Sequence, residues 1–168
     1  KTFESLIEKH LIDTNGFHKG DQAVYDKRLC LLKKSLISFL RTSQPKEWTD
    51  FTKQTGSGAA DKVCKRVAKI VEDKGTHHLL SKGFNIDGKS FRMCYMPAVS
   101  GLNPDVEKLF ETNIFEVIRD DFEYSEANAK SVDMVIFLNG LPLFTMELKN
   151  PLTGQTFLHA MTQYRKTR

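Results

Sequence analysis

Apolar positions recur at helical spacing in the first half of the chain and at strand spacing in the second. Residues 2–12, TFESLIEKHLI, put Phe3, Ile7, His10 and Leu11 on one side of a predicted helix, and Asn15-Gly16 stops it. Residues 24–41 repeat the pattern with Leu29, Leu32, Leu36 and Leu40, which predicts a second helix. Pro45 and KEWTDF follow, with Trp48 and Phe51 placed to seal a small helical core. GSG at 56–58 is a short breaker, and a third helix is predicted from Ala59 to Lys74 on Val63, Val67, Ile70 and Val71. From Gly83 the texture becomes extended. FNIDGKSFRMCYM reads as two runs around an Asp87-Gly88 turn, PAVSGLNP as a loop, and 104–111 as a short helix. NIFEVIRDDFEY reads as a strand and SEANAK as a polar connection. The final TGQTFLHAMTQYRKTR sets Phe157, Leu158, Met161 and Tyr164 on one helical stripe. No internal repeat or low-complexity segment interrupts this order.

The segment VDMVIFLNGLPLFTMELKN, residues 132–150, is built for an interior yet carries Asp133, Glu147 and Lys149. Residues 132–138 are apolar on both faces apart from Asp133, the pattern of a central strand covered on both sides. Asn139-Gly140 marks a reversal, and the returning strand, 141–149, ends at Pro151. Period two puts Leu143, Thr145, Glu147 and Lys149 on one face and Phe144, Met146 and Leu148 on the other. A plain two-residue Asn-Gly loop would set Asp133 against Met146, on the wrong side. A three-residue loop would set it against Thr145, diagonal to Glu147 and on the same face, where diagonal neighbours are roughly 7–8 Å apart. Convergence of the two carboxylates therefore requires an odd loop or a bulge.

Two carboxylates in an apolar setting repel one another unless a counter-charge joins them. A hard divalent cation with oxygen ligands supplies one, and a neighbouring lysine can orient the attacking water or stabilise charge growing on a phosphate. The residues suit metal-assisted phosphodiester hydrolysis. They equally suit an ion pair at a strand end; the central strand, the hairpin and the basic-ended helix that follows are what favour chemistry.

The remaining composition changes this picture little. A length of 168 residues suits one domain, or one with a helical appendage, and 40% hydrophobic with 27% charged residues is ordinary for a globular chain. No run of about 18 apolar residues predicts a membrane span, and no charged-then-apolar leader points to secretion. The first residue is Lys1, which leads to the expectation of a trimmed N-terminus. A net charge of +4 permits a polyanionic partner without demanding one. Lys62, Lys65, Arg66 and Lys69 form a basic stripe on the third helix, which reads as a solvated face or as a phosphate-contact surface. Cys30, Cys64 and Cys94 are few, odd in number and far apart, the pattern of free buried thiols in a reducing cytosol. Adjacent His77-His78 is poor spacing for zinc.

Asp133 followed by Glu147-Leu148-Lys149 on consecutive strands before a helix resembles the PD-(D/E)xK nuclease core. The longer text is more specific. TFESLIEKHL, YDKRLCL, TSQPKEW, SGLNP and DMVIFLNGLPLFTMELKNPLTGQTFLHAMTQYRKTR resemble, over nearly the whole chain, the N-terminal part of the restriction (R) subunit of type I restriction-modification enzymes. The resemblance implies an α/β fold, a restriction-endonuclease-like mixed β-sheet flanked by helices, with an N-terminal helical portion. Residues 1–58 would form that portion, its first helix able to join the nuclease core, and 59–168 the core itself, truncated at its C-terminus. It implies a cytoplasmic Mg²⁺-dependent endonuclease, with Mn²⁺ as a substitute, that cuts double-stranded DNA after ATP-driven translocation. ATP would act only in motor domains outside this chain, since no Gly-x-x-x-x-Gly-Lys-Ser/Thr loop is present. The partners implied are DNA and the methylation and specificity subunits, with no membrane. The chain is then expected to be a piece of a larger subunit.

Residue by residue, the resemblance makes Asp133 and Glu147 metal ligands and Lys149 the catalytic lysine. A first-helix acid, Glu4 ahead of Glu8, would join the metal. The family's Gln-x-x-x-Tyr signature is broken here, because Gln163 is followed directly by Tyr164, and Thr167 stands four residues on. Gln163 is expected to reach DNA or the lysine, and Tyr164 to pack in the core. Arg165, Lys166 and Arg168 are expected to bind phosphate or to complement the helix end. Two other readings remain: a non-catalytic DNA-gripping or assembly module of the same complex, and a stand-alone repair-type nuclease.

Overall fold

A computed structural model describes residues 3–98, 103–124, 131–148 and 157–166; the side chains of Asp120, Asp121, Phe157, Ala160, Gln163, Tyr164 and Lys166 lie outside that description. The elements run α1 (Phe3–Asn15), β1 (His18–Lys19), α2 (Lys33–Ser43), α3 (Pro45–Thr55), α4 (Ala59–Lys74), α5 (Thr76–Lys82), β2 (Phe84–Ile86), β3 (Lys89–Phe91), α6 (Pro104–Phe110), β4 (Phe115–Glu123), β5 (Ser131–Leu138), β6 (Leu141–Met146) and α7 (Phe157–Lys166). Short 3₁₀ turns cover 22–24 and 56–58. The fold is α/β, with a mixed sheet in the order β1-β4-β5-β6 and a separate β2–β3 hairpin. Within the mixed sheet β1 is parallel to β4, while β4–β5 and β5–β6 are antiparallel.

Most predicted helices form where the apolar period and the punctuation agree. Asn15-Gly16 ends α1, and Pro45 opens α3 at a position where its missing N–H costs nothing. On α4, Val63, Cys64, Val67 and Ile70 are buried while Val71 is half-buried. The second predicted helix is corrected. Residues 24–32 are not helical, and α2 begins only at Lys33. Asp26 and Leu31 instead exchange backbone hydrogen bonds of 2.9 and 3.3 Å, with Cys30 at φ +56° in the turn. The Asp26 carboxylate accepts from Leu29 N–H and pairs with Lys33 Nζ, both at 2.9 Å. Burial alone would raise the pKa of this carboxyl; the hydrogen bond from Lys33 and that from Leu29 outweigh burial and leave it lowered. A short polar side chain that satisfies the backbone locally thus overrides leucine spacing. The turn also exposes Cys30, correcting the expectation of three buried thiols; Cys64 is buried, and its pKa is pushed up to about 11 by desolvation.

Two apolar clusters hold the molecule. One joins α2, α3, α4, α5 and the β2–β3 hairpin through Leu36, Phe39, Phe51, Val63, Leu79 and Phe91, and extends to Leu141 on β6. Its packing crosses position 58 without a gap, since Phe39 and Phe51 meet Ala59 and Val63. The other joins Tyr25 and Leu32 to Ile118, Phe122, Val135 and Phe137 on β4 and β5. The Tyr25 ring lies 4.7 Å from Phe122 and 5.8 Å from Phe137.

The two clusters meet at the β5–β6 turn. Asn139 and Gly140 have φ +52° and +81°, the two-residue hairpin turn that such residues favour. Asn139 is fully buried. Its Oδ1 accepts from Ile114 N–H at 2.7 Å, and its Nδ2 donates to the Met93 carbonyl at 2.9 Å and to Asn113 Oδ1 at 3.0 Å. Gly140 accepts from Leu32 N–H at 2.9 Å. A Cβ at 140 would stand 2.5 Å from the Leu32 carbonyl oxygen and 2.8 Å from Leu36 N. Both the left-handed backbone and this close approach require glycine. Gly140→Ala is expected to cost at least about 3 kcal/mol, combining backbone strain with a clash against main chain; urea unfolding measures it, and a cost below about 1 kcal/mol would show that the turn does not bear on the helices as described.

Candidate active site

Asp133 lies on β5, the strand paired on both sides, and Glu147 follows the last residue of β6. The β5–β6 register begins as a plain two-residue turn, with Leu138 against Leu141 and Phe137 against Pro142. It then shifts by one, so that Ile136 faces Phe144, Val135 faces Thr145 and Met134 faces Met146. Leu143 is the extra residue, a β-bulge. One further step in the same register sets Asp133 against Glu147. The required odd element is therefore a bulge rather than a three-residue loop. It also makes the acids direct opposites instead of diagonal neighbours, with Thr145 opposite Val135. Directly opposed residues have Cβ atoms only about 4.5–5.5 Å apart.

The end of the hairpin is held by the aspartate itself. Leu148 N–H donates to Asp133 Oδ2 at 2.5 Å. A carboxylate here takes the place of a ladder carbonyl and fixes the backbone beside Glu147 with a charge-assisted bond. Both acids are half-buried. On the other side of Asp133, the β4–β5 register slips between Arg119–Met134 and Phe122–Val132, so the backbone of residues 120 and 121 together opposes position 133. Asp133 thus sits between two bulges.

The first helix reaches the same part of the sheet. Glu8 is 7% exposed, and its Oε2 accepts from Arg119 Nε at 2.6 Å. Lys19 Nζ stands 3.9 Å from its Oε1. Arg119 faces Met134, one residue along from Asp133. Glu4, one turn earlier on α1, is half-buried. Of the two first-helix acids, Glu8 is the one the fold buries. No sequence signal separated them, because Glu4 and Glu8 share one helical face and only the tertiary partner Arg119 distinguishes them.

Lys149 and Arg168 lie outside the described residues, as do the side chains of Gln163, Tyr164 and Lys166. Arg165 is exposed on α7. The predicted apolar stripe of α7 is corrected where it is described, since Leu158 is 58% and Met161 41% exposed. The expectation that Phe144 fills an interior face is corrected too: it is 61% exposed, on a strand that is the sheet's edge among the described residues. The basic stripe of α4 is largely engaged locally. Lys62 pairs with Asp87 at 2.5 Å, Arg66 Nε donates to the Asn85 carbonyl at 3.3 Å, and Lys69 pairs with Glu72 and Asp73 at 3.2 and 3.1 Å. Among the described residues no group of three or more His, Cys, Asp or Glu could hold a metal ion, and no helix is long and apolar enough to cross a membrane.

Residues 20–168 match the family model of the type I restriction enzyme R protein N terminus. The chain belongs to this family. No curated protein and no solved structure matches it. Membership makes the chain part of a restriction enzyme subunit. The family match begins at Gly20, so α1 and with it Glu8 precede the matched stretch, whereas Arg119, Asp133 and Glu147 fall inside it.

The Glu8–Arg119 pair carries a stability consequence. Removing one partner of a buried pair leaves a desolvated charge, whereas removing both does not. Arg119→Met alone is expected to destabilise by about 2–4 kcal/mol, tempered by Lys19. The double variant Glu8→Gln/Arg119→Met is expected to recover most of that loss. Thermal unfolding of the four proteins of the cycle tests this, and additive costs would contradict it.

Proposed function

We propose that this chain is the metal-dependent endonuclease part of a type I restriction enzyme R subunit, hydrolysing phosphodiester bonds of double-stranded DNA. The observation that carries the reading is the Leu143 bulge. It is a local irregularity whose consequence is to bring Glu147 opposite Asp133. A strand pair serving only the core gains nothing from setting two acids against each other.

The donors fit a hard cation. Asp133 and Glu147 offer carboxylate oxygens, half-buried and opposed, the ligand type that Mg²⁺ takes, with Mn²⁺ as a substitute. Asp133 Oδ2 accepts from Leu148 N–H, which orients the carboxylate and leaves Oδ1 to face an ion. When bound, Mg²⁺ lowers the pKa of a coordinated water and neutralises charge on the scissile phosphate. Lys149 follows two residues after Glu147, and extended backbone returns a residue at that spacing to the same side. Its ammonium would orient the attacking water and stabilise the negative charge that grows on the phosphate oxygens. Partners are double-stranded DNA and, through the full subunit, the methylation and specificity subunits; ATP-driven translocation belongs to domains outside this chain.

In the assembled enzyme, Asp133→Ala, Glu147→Ala and Lys149→Ala are each expected to lower DNA cleavage by at least about 10²–10³-fold, the scale of losing one preorganised electrostatic contact. ATP hydrolysis and translocation should stay at wild-type rates. Cleavage at wild-type rate by the Asp133→Ala enzyme would leave the chain as a DNA-gripping or assembly module. Deleting Leu143 is a sharper geometric test. It restores an unbulged hairpin, sets Met146 opposite Asp133 and should abolish cleavage with little change in the unfolding temperature of the helical core.

A further inference from the structure

The nuclease reading leaves the buried carboxylate of Glu8 without a task. Its Oε2 is taken by Arg119 at 2.6 Å, and its Oε1, which accepts no hydrogen bond, faces Lys19 Nζ at 3.9 Å. These three side chains line a cleft of about 430 Å³ at the β1 edge of the sheet, with Gly20, Asp21, Gln22 and Ile118. Two cations against one buried acid leave the triad with one positive charge. Asp21 is exposed at the cleft and gives its Oδ1 to Ala23 N–H at 2.9 Å.

The geometry suits an anion rather than a second metal. A carboxylate clamped by an arginine is a poor cation ligand, because its lone pairs already face positive charge. The clamp acts through Arg119 Nε, so the two terminal nitrogens of the planar fork remain directed away from Glu8. The guanidinium is 22% exposed and Lys19 is 66% exposed, so both reach solvent from a braced base. Arg119 faces Met134, next to Asp133, which sets this cation one residue step from the opposed acids.

We propose that Arg119, braced by Glu8 and assisted by Lys19, binds a phosphate of the DNA strand beside the phosphodiester that is cut. This rests on the nuclease reading for the location of the cut. Glu8 is then a positioning residue for the arginine and not a metal ligand. One diester charge neutralises the triad, and the arginine fork matches two phosphate oxygens.

The test uses the assembled enzyme and labelled duplex DNA in EDTA, with affinity read across salt concentrations. Arg119→Gln should weaken binding and reduce the slope of log K against log salt by about 0.9, one phosphate contact. Lys19→Gln should reduce it by up to the same amount. Arg119→Lys should keep the slope but lose cleavage, because the fork is gone. Glu8→Gln should keep DNA affinity and lower cleavage about tenfold or more through a misaimed arginine, without changing the Mg²⁺ concentration for half-maximal rate. The double variant Glu8→Gln/Arg119→Gln, which leaves no unpaired charge to unfold the protein, should show the same slope loss as Arg119→Gln. A wild-type slope in that folded double variant would overturn the proposal. So would a rise of about tenfold or more in the Mg²⁺ requirement of Glu8→Gln, the mark of a lost contribution to metal binding. Failure of the nuclease reading appears elsewhere, as cutting by Asp133→Ala, and leaves the salt slopes interpretable.

Discussion

A single tight turn, Asn139-Gly140, ties the two halves of this molecule together. Its side-chain amide satisfies backbone groups of Ile114 and Met93 and meets the amide of Asn113, while the neighbouring carbonyl accepts from Leu32 at the start of α2. Every partner is buried or nearly so, and an unsatisfied buried amide or carbonyl costs about 1–3 kcal/mol. The turn therefore cannot slide. Because it cannot slide, the strands leaving it have one allowed register, and the acids at their far ends have one allowed relation.

That rigidity gives the Leu143 bulge its meaning. In a loosely anchored hairpin an extra residue could be absorbed by slipping one strand past the other. Here the turn is pinned by contacts to the helical part, so the extra residue shifts everything beyond it. Side-chain parity reverses between Pro142 and Phe144, and Glu147 arrives opposite Asp133. The second irregularity, on β4, sets two residues against Asp133 from the other side. Bulges are frequent beside active sites because they aim side chains without breaking a sheet. In this chain both flank the one strand that combines a central position with an acid.

The same logic separates the two first-helix glutamates. On a helical wheel Glu4 and Glu8 are equivalent. What distinguishes them is Arg119, more than a hundred residues away, which draws Glu8 into burial. The ion pair joins α1, which precedes the stretch matched by the family model, to the strand next to Asp133. The first helix is thus part of the site's architecture whichever task Glu8 performs.

Local signals were enough to read much of this protein. Helix stops at Asn15-Gly16 and Gly75, the proline start of α3, the Asp87-Gly88 turn and the apolar run of β5 are each written in a few adjacent residues, since backbone propensity and period act over one or two turns. The sequence also restricted Asp133 and Glu147 to a bulge or an odd loop, because period two leaves no other way to bring them onto one face. It could not choose between those devices. That choice rests on how Gly140 meets Leu32 and Leu36, an encounter between segments a hundred residues apart. The leucines of 24–32 misled for the same reason: Asp26 found a carboxylate's partners in Leu29 and Lys33, and Tyr25 found aromatic rings on β4 and β5. Period and propensity are sums over neighbours along the chain, so the sequence alone determined the elements and the chemistry they carry. Register, burial and the pairing of charges depend on neighbours in space, and only the tertiary structure decided those.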